Sequence, residues 1–111
     1  MGITTHVLDT SRGKPASGVL VTLERCKPDG SWAPVGHGET DEDGRLRSLT
    51  SDSVESGTYR LTFDIGTYFR DRHTETFYPE AVILFNVSEG GGHYHVPLML
   101  SPWGYSTYRG S

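Results

Sequence analysis

Apolar and polar side chains alternate with a period of two through much of the chain. In residues 58–65, Tyr59, Leu61, Phe63 and Ile65 alternate with Thr58, Arg60, Thr62 and Asp64. That pattern predicts a strand with one buried face. Residues 19–26 alternate less cleanly, with Val19, Val21 and Leu23 opposed to Leu20, Thr22 and Glu24. Residues 81–87 and 94–100 are continuous apolar runs, which predict strands covered on both faces. Residues 4–8 and 106–108 are shorter strand candidates. Turn signals separate the runs. Pro28-Asp29-Gly30 predicts a hairpin into a strand over 32–38, and Asp41-Glu42-Asp43-Gly44 leads into a short strand over 45–49. Residues 89–92 form a Gly-rich loop, and residues 66–73 are the stretch with some helical character. About eight short strands at this spacing predict an all-β, antiparallel β-sandwich with one short helix. Pro97 falls inside a predicted strand, where its missing N–H calls for an edge, a bulge or a face used in assembly.

Composition narrows the function. The 111 residues fit one domain, 1–111, with one modest core and little room for an enclosed pocket. The net charge of -4 offers nothing to nucleic acid or an anionic membrane. A lone cysteine, Cys26, makes no internal disulfide and reads as a small core residue. No apolar run is long enough to span a bilayer, and no secretory pattern opens the chain, so a cytoplasmic setting is expected.

Phosphate loops, dinucleotide turns and nucleophile elbows are missing from the sequence. The acidic run 41–43 lacks calcium-loop spacing and reads as a solvated turn. Histidines carry the remaining chemistry. His93 and His95 are two apart on a strand and share a face, and His6 lies on another strand. Such residues suit general acid/base work near neutral pH, or zinc ligation if further ligands converge, or simple exposure on a polar face. His37 and His73 sit in polar contexts and read as solvated. Arg45 and Arg47 also share a face, and an arginine there can hold a carboxylate or an oxyanion. The tail is rich in tyrosine and reads as anchored rather than frayed.

Three segments together resemble the 5-hydroxyisourate hydrolase branch of the transthyretin-like family. They are residues 4–10 (Thr-Thr-His-Val-Leu-Asp-Thr) with Gly13-Lys14-Pro15-Ala16, residues 40–46 (Thr-Asp-Glu-Asp-Gly-Arg-Leu), and His93-Tyr94-His95-Val96-Pro97-Leu98 running on to the tail Tyr108-Arg109-Gly110-Ser111. Phe77-Tyr78-Pro79-Glu80 adds a fourth. The resemblance spans essentially the whole chain. It implies a homotetramer, a dimer of dimers, with active sites in the channel between dimers. It implies cofactor-free hydrolysis of 5-hydroxyisourate, a cyclic amide, with no resident metal. Carried over residue by residue, it implies His6, Arg45, His95 and Ser111 as catalytic groups, and Tyr108, Arg109 and Gly110 as further substrate contacts. Arg45 is favoured over Arg47 because the family arginine follows the Asp-Gly turn, and His95 over His93 because the family histidine precedes Val-Pro. In this reading one of His6 and His95 takes a proton from water and the other orients the water or serves the leaving nitrogen, with the roles exchangeable. Two other readings remain: a carrier using the same channel for an aromatic ligand, and a zinc site.

Overall fold

The computed structural model describes residues 2–51 and 53–110. Among the described residues, nine strands and one helix follow in the order β1 (Ile3–Asp9), β2 (Lys14–Pro15), β3 (Leu20–Cys26), β4 (Trp32–Glu39), β5 (Arg45–Leu46), β6 (Gly57–Phe63), α1 (Ile65–Arg70), β7 (Ala81–Val87), β8 (Tyr94–Ser101) and β9 (Gly104–Thr107). They build two sheets. One has the order β2-β1-β8-β9, with β5 also paired to β1, and the other has the order β4-β3-β6-β7. The expected sandwich is therefore present, with one parallel pairing inside it, β1 with β8.

Alternation places the core. Ile3 and Val7 of β1, Val21 and Leu23 of β3, and Leu61 and Phe63 of β6 are fully buried between the sheets. Their neighbours at odd offsets face outward, as a period of two requires. Asp64 ends β6 and caps α1, its carboxylate accepting from the Thr67 N–H at 3.1 Å. The helix buries Ile65, Tyr68 and Phe69. Tyr68 donates at 2.8 Å to the fully buried carboxylate of Asp9, which also accepts from the backbone of Ser11 and Arg12. That network fixes the end of β1 against the helix.

Three expectations change. Residues 81–87 are not covered on both faces: β7 is an edge strand, and Val82 and Leu84 are 41% and 62% exposed on its outer side. Cys26 is half-buried rather than a core residue. It shares parity with Thr22 and Glu24, so it belongs to the outward row of β3. Pro97 lies neither at an edge nor at a bulge, since β8 runs between β1 and β9. Its carbonyl accepts from Thr107 Oγ1 at 2.6 Å, so its ring nitrogen faces β9 on the same side. There the ladder with β9 stops after the Leu98–Thr107 pair and resumes only at His95–Gly110. A proline without a donor is tolerated because it stands where the ladder is already interrupted.

Candidate active site

Three elements of one sheet bring the site together. In β1, Thr4 and His6 lie in the outward row, opposite the buried Ile3, Thr5 and Val7. Register sets His6 beside Arg45 of β5 and Thr4 beside His95 of β8. Thr4, Thr5, Arg45, Arg47, His93 and His95 line an open cleft of about 250 Å³. His6 flanks it through its pairing with Arg45. The structure thus gathers His6, Arg45 and His95 on one face, as the sequence suggested, and adds Thr4, Arg47 and His93.

The acidic turn 41–44 is what delivers Arg45. Asp41 Oδ1 accepts from the backbone N–H of Asp43 and of Arg45, both at 2.9 Å. These contacts, the one from Arg45 first, hold the Asp41 carboxyl below the usual carboxylate range. Gly44 closes the turn at φ +76, and a β-carbon there would collide with the Val7 carbonyl. The same turn orients His6, whose Nε2–H donates to the Asp43 carbonyl at 2.8 Å. The other nitrogen, Nδ1, is left as an acceptor when the ring is neutral.

His95 Nδ1 lies 2.8 Å from Thr4 Oγ1, and His93 Nε2 lies 3.0 Å from the same oxygen. The two rings stack at 6.3 Å between centroids. Among the described residues, His95 Nε2 has no hydrogen-bond partner. Burial pushes the His95 pKa below the ordinary imidazole value, and the nearby His93, Arg45, His6 and Arg47 push it the same way. His95 is therefore neutral near pH 7, the state a general base needs.

The tail divides. Gly110 donates its N–H to the His95 carbonyl at 2.8 Å and packs against the ring, where an added β-carbon would stand 2.7 Å from Cδ2. Arg109 does not join the cluster: its guanidinium lies 4.4 Å from the ring centroid of Tyr94. Tyr108 is 57% exposed and lines, with Arg109 and Tyr94, a separate groove that reaches Ile83 and Leu84 of β7. Ser111 lies outside the described residues. Among the described residues no group of three or more His, Cys, Asp or Glu side chains is placed to hold a metal ion. Thr4 is the member that sequence reasoning left out, whereas Arg47 and His93 were weighed there and set second to Arg45 and His95. The signal for Thr4 was parity, since it shares its row with His6.

A two-sheet sandwich with histidines and arginines on the outer face of one sheet defines a transthyretin-like domain in which that face is polar rather than apolar. The chain belongs to the HIUase/Transthyretin family, whose model matches residues 3–110. It is 46% identical over 110 residues to 5-hydroxyisourate hydrolase of Salmonella dublin, covering 98% of this chain and 80% of that protein. The structure of Klebsiella pneumoniae 5-hydroxyisourate hydrolase superposes with a TM-score of 0.84 at 35% identity, over 98% of this chain and 92% of that one. Transthyretin of Sparus aurata superposes with a TM-score of 0.93 at 31% identity, over 97% of this chain and 95% of that one. Backbone shape alone thus does not separate 5-hydroxyisourate hydrolase from transthyretin, and the side chains on the outer face must.

Proposed function

We propose that this chain is a hydrolase that opens 5-hydroxyisourate to 2-oxo-4-hydroxy-4-carboxy-5-ureidoimidazoline in urate degradation. The observation that carries the reading is the convergence of His6, Arg45 and His95 on one polar face. The full-length similarity to 5-hydroxyisourate hydrolases supports it. His95 Nε2 takes a proton from water as the water oxygen attacks the ring carbonyl. His6, with Nε2–H occupied by the Asp43 carbonyl, orients the water through Nδ1. His95 is the better base because it lines the cleft and is held neutral there. Arg45 donates to the oxygen on which charge develops, the kind of preorganised contact that often dominates catalysis. As the C–N bond breaks, the His95 imidazolium returns its proton to the leaving nitrogen. Ser111, next after Gly110, joins the site as a substrate contact in this reading.

We read the chain as one domain that assembles into a homotetramer, a dimer of dimers, in the cytoplasm. The open cleft and the exposed apolar row of β7 support assembly, because a second copy would cover both. A free Cys26 suits a reducing compartment. The carrier reading rests on the transthyretin fold likeness. A cleft lined by two arginines and two histidines disfavours it, since a passive aromatic ligand is held mainly by apolar walls. The test is loss of 5-hydroxyisourate absorbance, corrected for uncatalysed decay, with wild type beside His95→Asn. The variant should lose roughly 10²–10⁴-fold in turnover, the usual weight of a general base. Equal rates would overturn the assignment.

A further inference from the structure

The contact between Thr4 and two histidines has a strict proton count. A threonine hydroxyl holds one proton and faces His95 Nδ1 at 2.8 Å and His93 Nε2 at 3.0 Å. It therefore donates to one ring and accepts from the other. If Thr4 donates to His95, neutral His95 carries its proton on Nε2 and is a donor toward the cleft. If Thr4 donates to His93, it accepts from His95 Nδ1–H, and His95 Nε2 presents a lone pair. Only the second arrangement also accommodates the His95 imidazolium, whose Nδ1–H still needs an acceptor. It serves the resting base and the protonated intermediate with no reorientation of the hydroxyl.

We propose that Thr4 and His93 are positioning residues: His93 Nε2 accepts the Thr4 hydroxyl proton, and Thr4 thereby locks His95 in the Nδ1–H form with Nε2 free to act on water. The use of Nε2 rests on the hydrolytic reading above, whereas the tautomer itself does not. The partner of one ring nitrogen decides which nitrogen carries the proton. Geometry supports the lock. Thr4 and His95 are register partners on β1 and β8, so both backbones hold the contact. Gly110 closes against the Cδ2 edge of the ring and restricts its rotation. The charged and titratable groups facing His95 are His93 on its own strand, His6 on β1, and Arg45 and Arg47 on and beside β5. None of these makes a hydrogen bond to Nδ1 among the described residues, which leaves Thr4 to set the tautomer.

The test has two arms. Nitrogen NMR of the wild-type imidazoles at pH 7.5–8 reads the tautomer directly. His95 should be protonated on Nδ1, and His93 should present an unprotonated Nε2. A His95 found in the Nε2–H form overturns the proposal whatever the activity. In the second arm, Thr4→Val removes the hydroxyl at similar volume and Thr4→Ser keeps it. Thr4→Val should shift His95 toward the Nε2–H form and lower kcat by about 10- to 100-fold, part of the general-base contribution. KM should stay within about threefold, because His6, Arg45 and the tail, the proposed substrate contacts, are kept. Thr4→Ser should restore both the tautomer and most of kcat. His93→Gln, whose side-chain oxygen can accept from Thr4, should retain more kcat than His93→Leu. Wild-type kcat in Thr4→Val overturns the proposal. A wild type that fails to open 5-hydroxyisourate overturns the functional reading instead and leaves the tautomer arm to decide the lock.

Discussion

Each sheet carries a polar cluster on its outer face, and the two clusters differ in how their charge is compensated. On the β4-β3-β6-β7 sheet, Arg60 Nε donates to Glu24 Oε1 at 2.7 Å and its guanidinium lies over the Trp32 ring at 4.3 Å. Thr22, Thr62 and Glu80 complete a cleft of about 320 Å³ there. On the other sheet, a cleft of about 250 Å³ holds Arg45 and Arg47 with His93 and His95. Among the described residues neither arginine of that cleft is in a salt bridge. Asp41 is in their field, but its Oδ1 is occupied by two backbone N–H groups. A paired arginine on a sheet face has found its partner within the fold. Among the described residues Arg45 and Arg47 have no such partner, so their charge faces the open cleft beside His93 and His95.

The sharpest way to break this contrast is to neutralise one arginine in each cluster. Arg45→Gln should lower kcat by roughly 10²–10³-fold, the usual loss when a donor to developing oxyanion charge is removed. Arg60→Gln should leave turnover within about twofold, as for surface changes away from a site. Steady-state rates on 5-hydroxyisourate check both, with a thermal melt to confirm that each variant folds. Equal losses in the two variants would mean that the histidine-bearing face has no special role.

Much of this contrast was legible in sequence, and the part that was not has a physical reason. Alternation along residues 58–65 and 19–26 placed the inner rows of β6 and β3 without structural help. Strand parity offered His6, the pair His93 and His95 and the pair Arg45 and Arg47, and the family resemblance selected His6, Arg45 and His95 among them. Thr4 did not stand out, because a threonine in a strand is ordinary and its role comes from a partner 91 positions away. The parallel pairing of β1 with β8 is equally non-local, and no local pattern encodes it. β2 and β5 are two residues each, too short to show any period. The apolar run of β7 predicted cover on both faces, but only its inner row packs on the core, since hydrophobicity alone does not say whether a strand lies inside a sheet or at its edge. Arg109 shares a motif with Gly110 yet faces Tyr94, because adjacent residues of an extended tail point to opposite sides.

A smaller effect is expected from the tail. In Gly110→Ala the new β-carbon would stand 2.7 Å from His95 Cδ2 and 3.4 Å from its Cβ and Cγ, so the ring or the tail must shift. Loss of ring placement should lower kcat by about 10- to 100-fold, the scale of small misplacements at a reacting centre. The melting temperature should barely change, because Gly110 lies outside the core. A variant with wild-type kcat would show that the tail merely packs beside the histidine.

The mildest change separates burial from charge at His95. Its pKa lies below the usual imidazole value of about 6.5, through burial first and then through His93, Arg45, His6 and Arg47. The working form is neutral, so kcat/KM should be level at pH 7–8 and fall on acidification through an inflection below about 6.5. Arg47→Gln removes one of the two arginine charges without touching the proposed oxyanion contact. A neighbouring positive charge disfavours the imidazolium, so its removal must make protonation easier and move the inflection upward. The shift should be small, because burial and the other groups remain, and the plateau rate should stay close to wild type. An Arg60→Gln variant, altered on the opposite sheet, should leave the inflection where it was. If the inflection stayed fixed in Arg47→Gln or moved downward, the Arg47 charge would not be part of what holds His95 neutral, and burial with the remaining neighbours would have to account for its state.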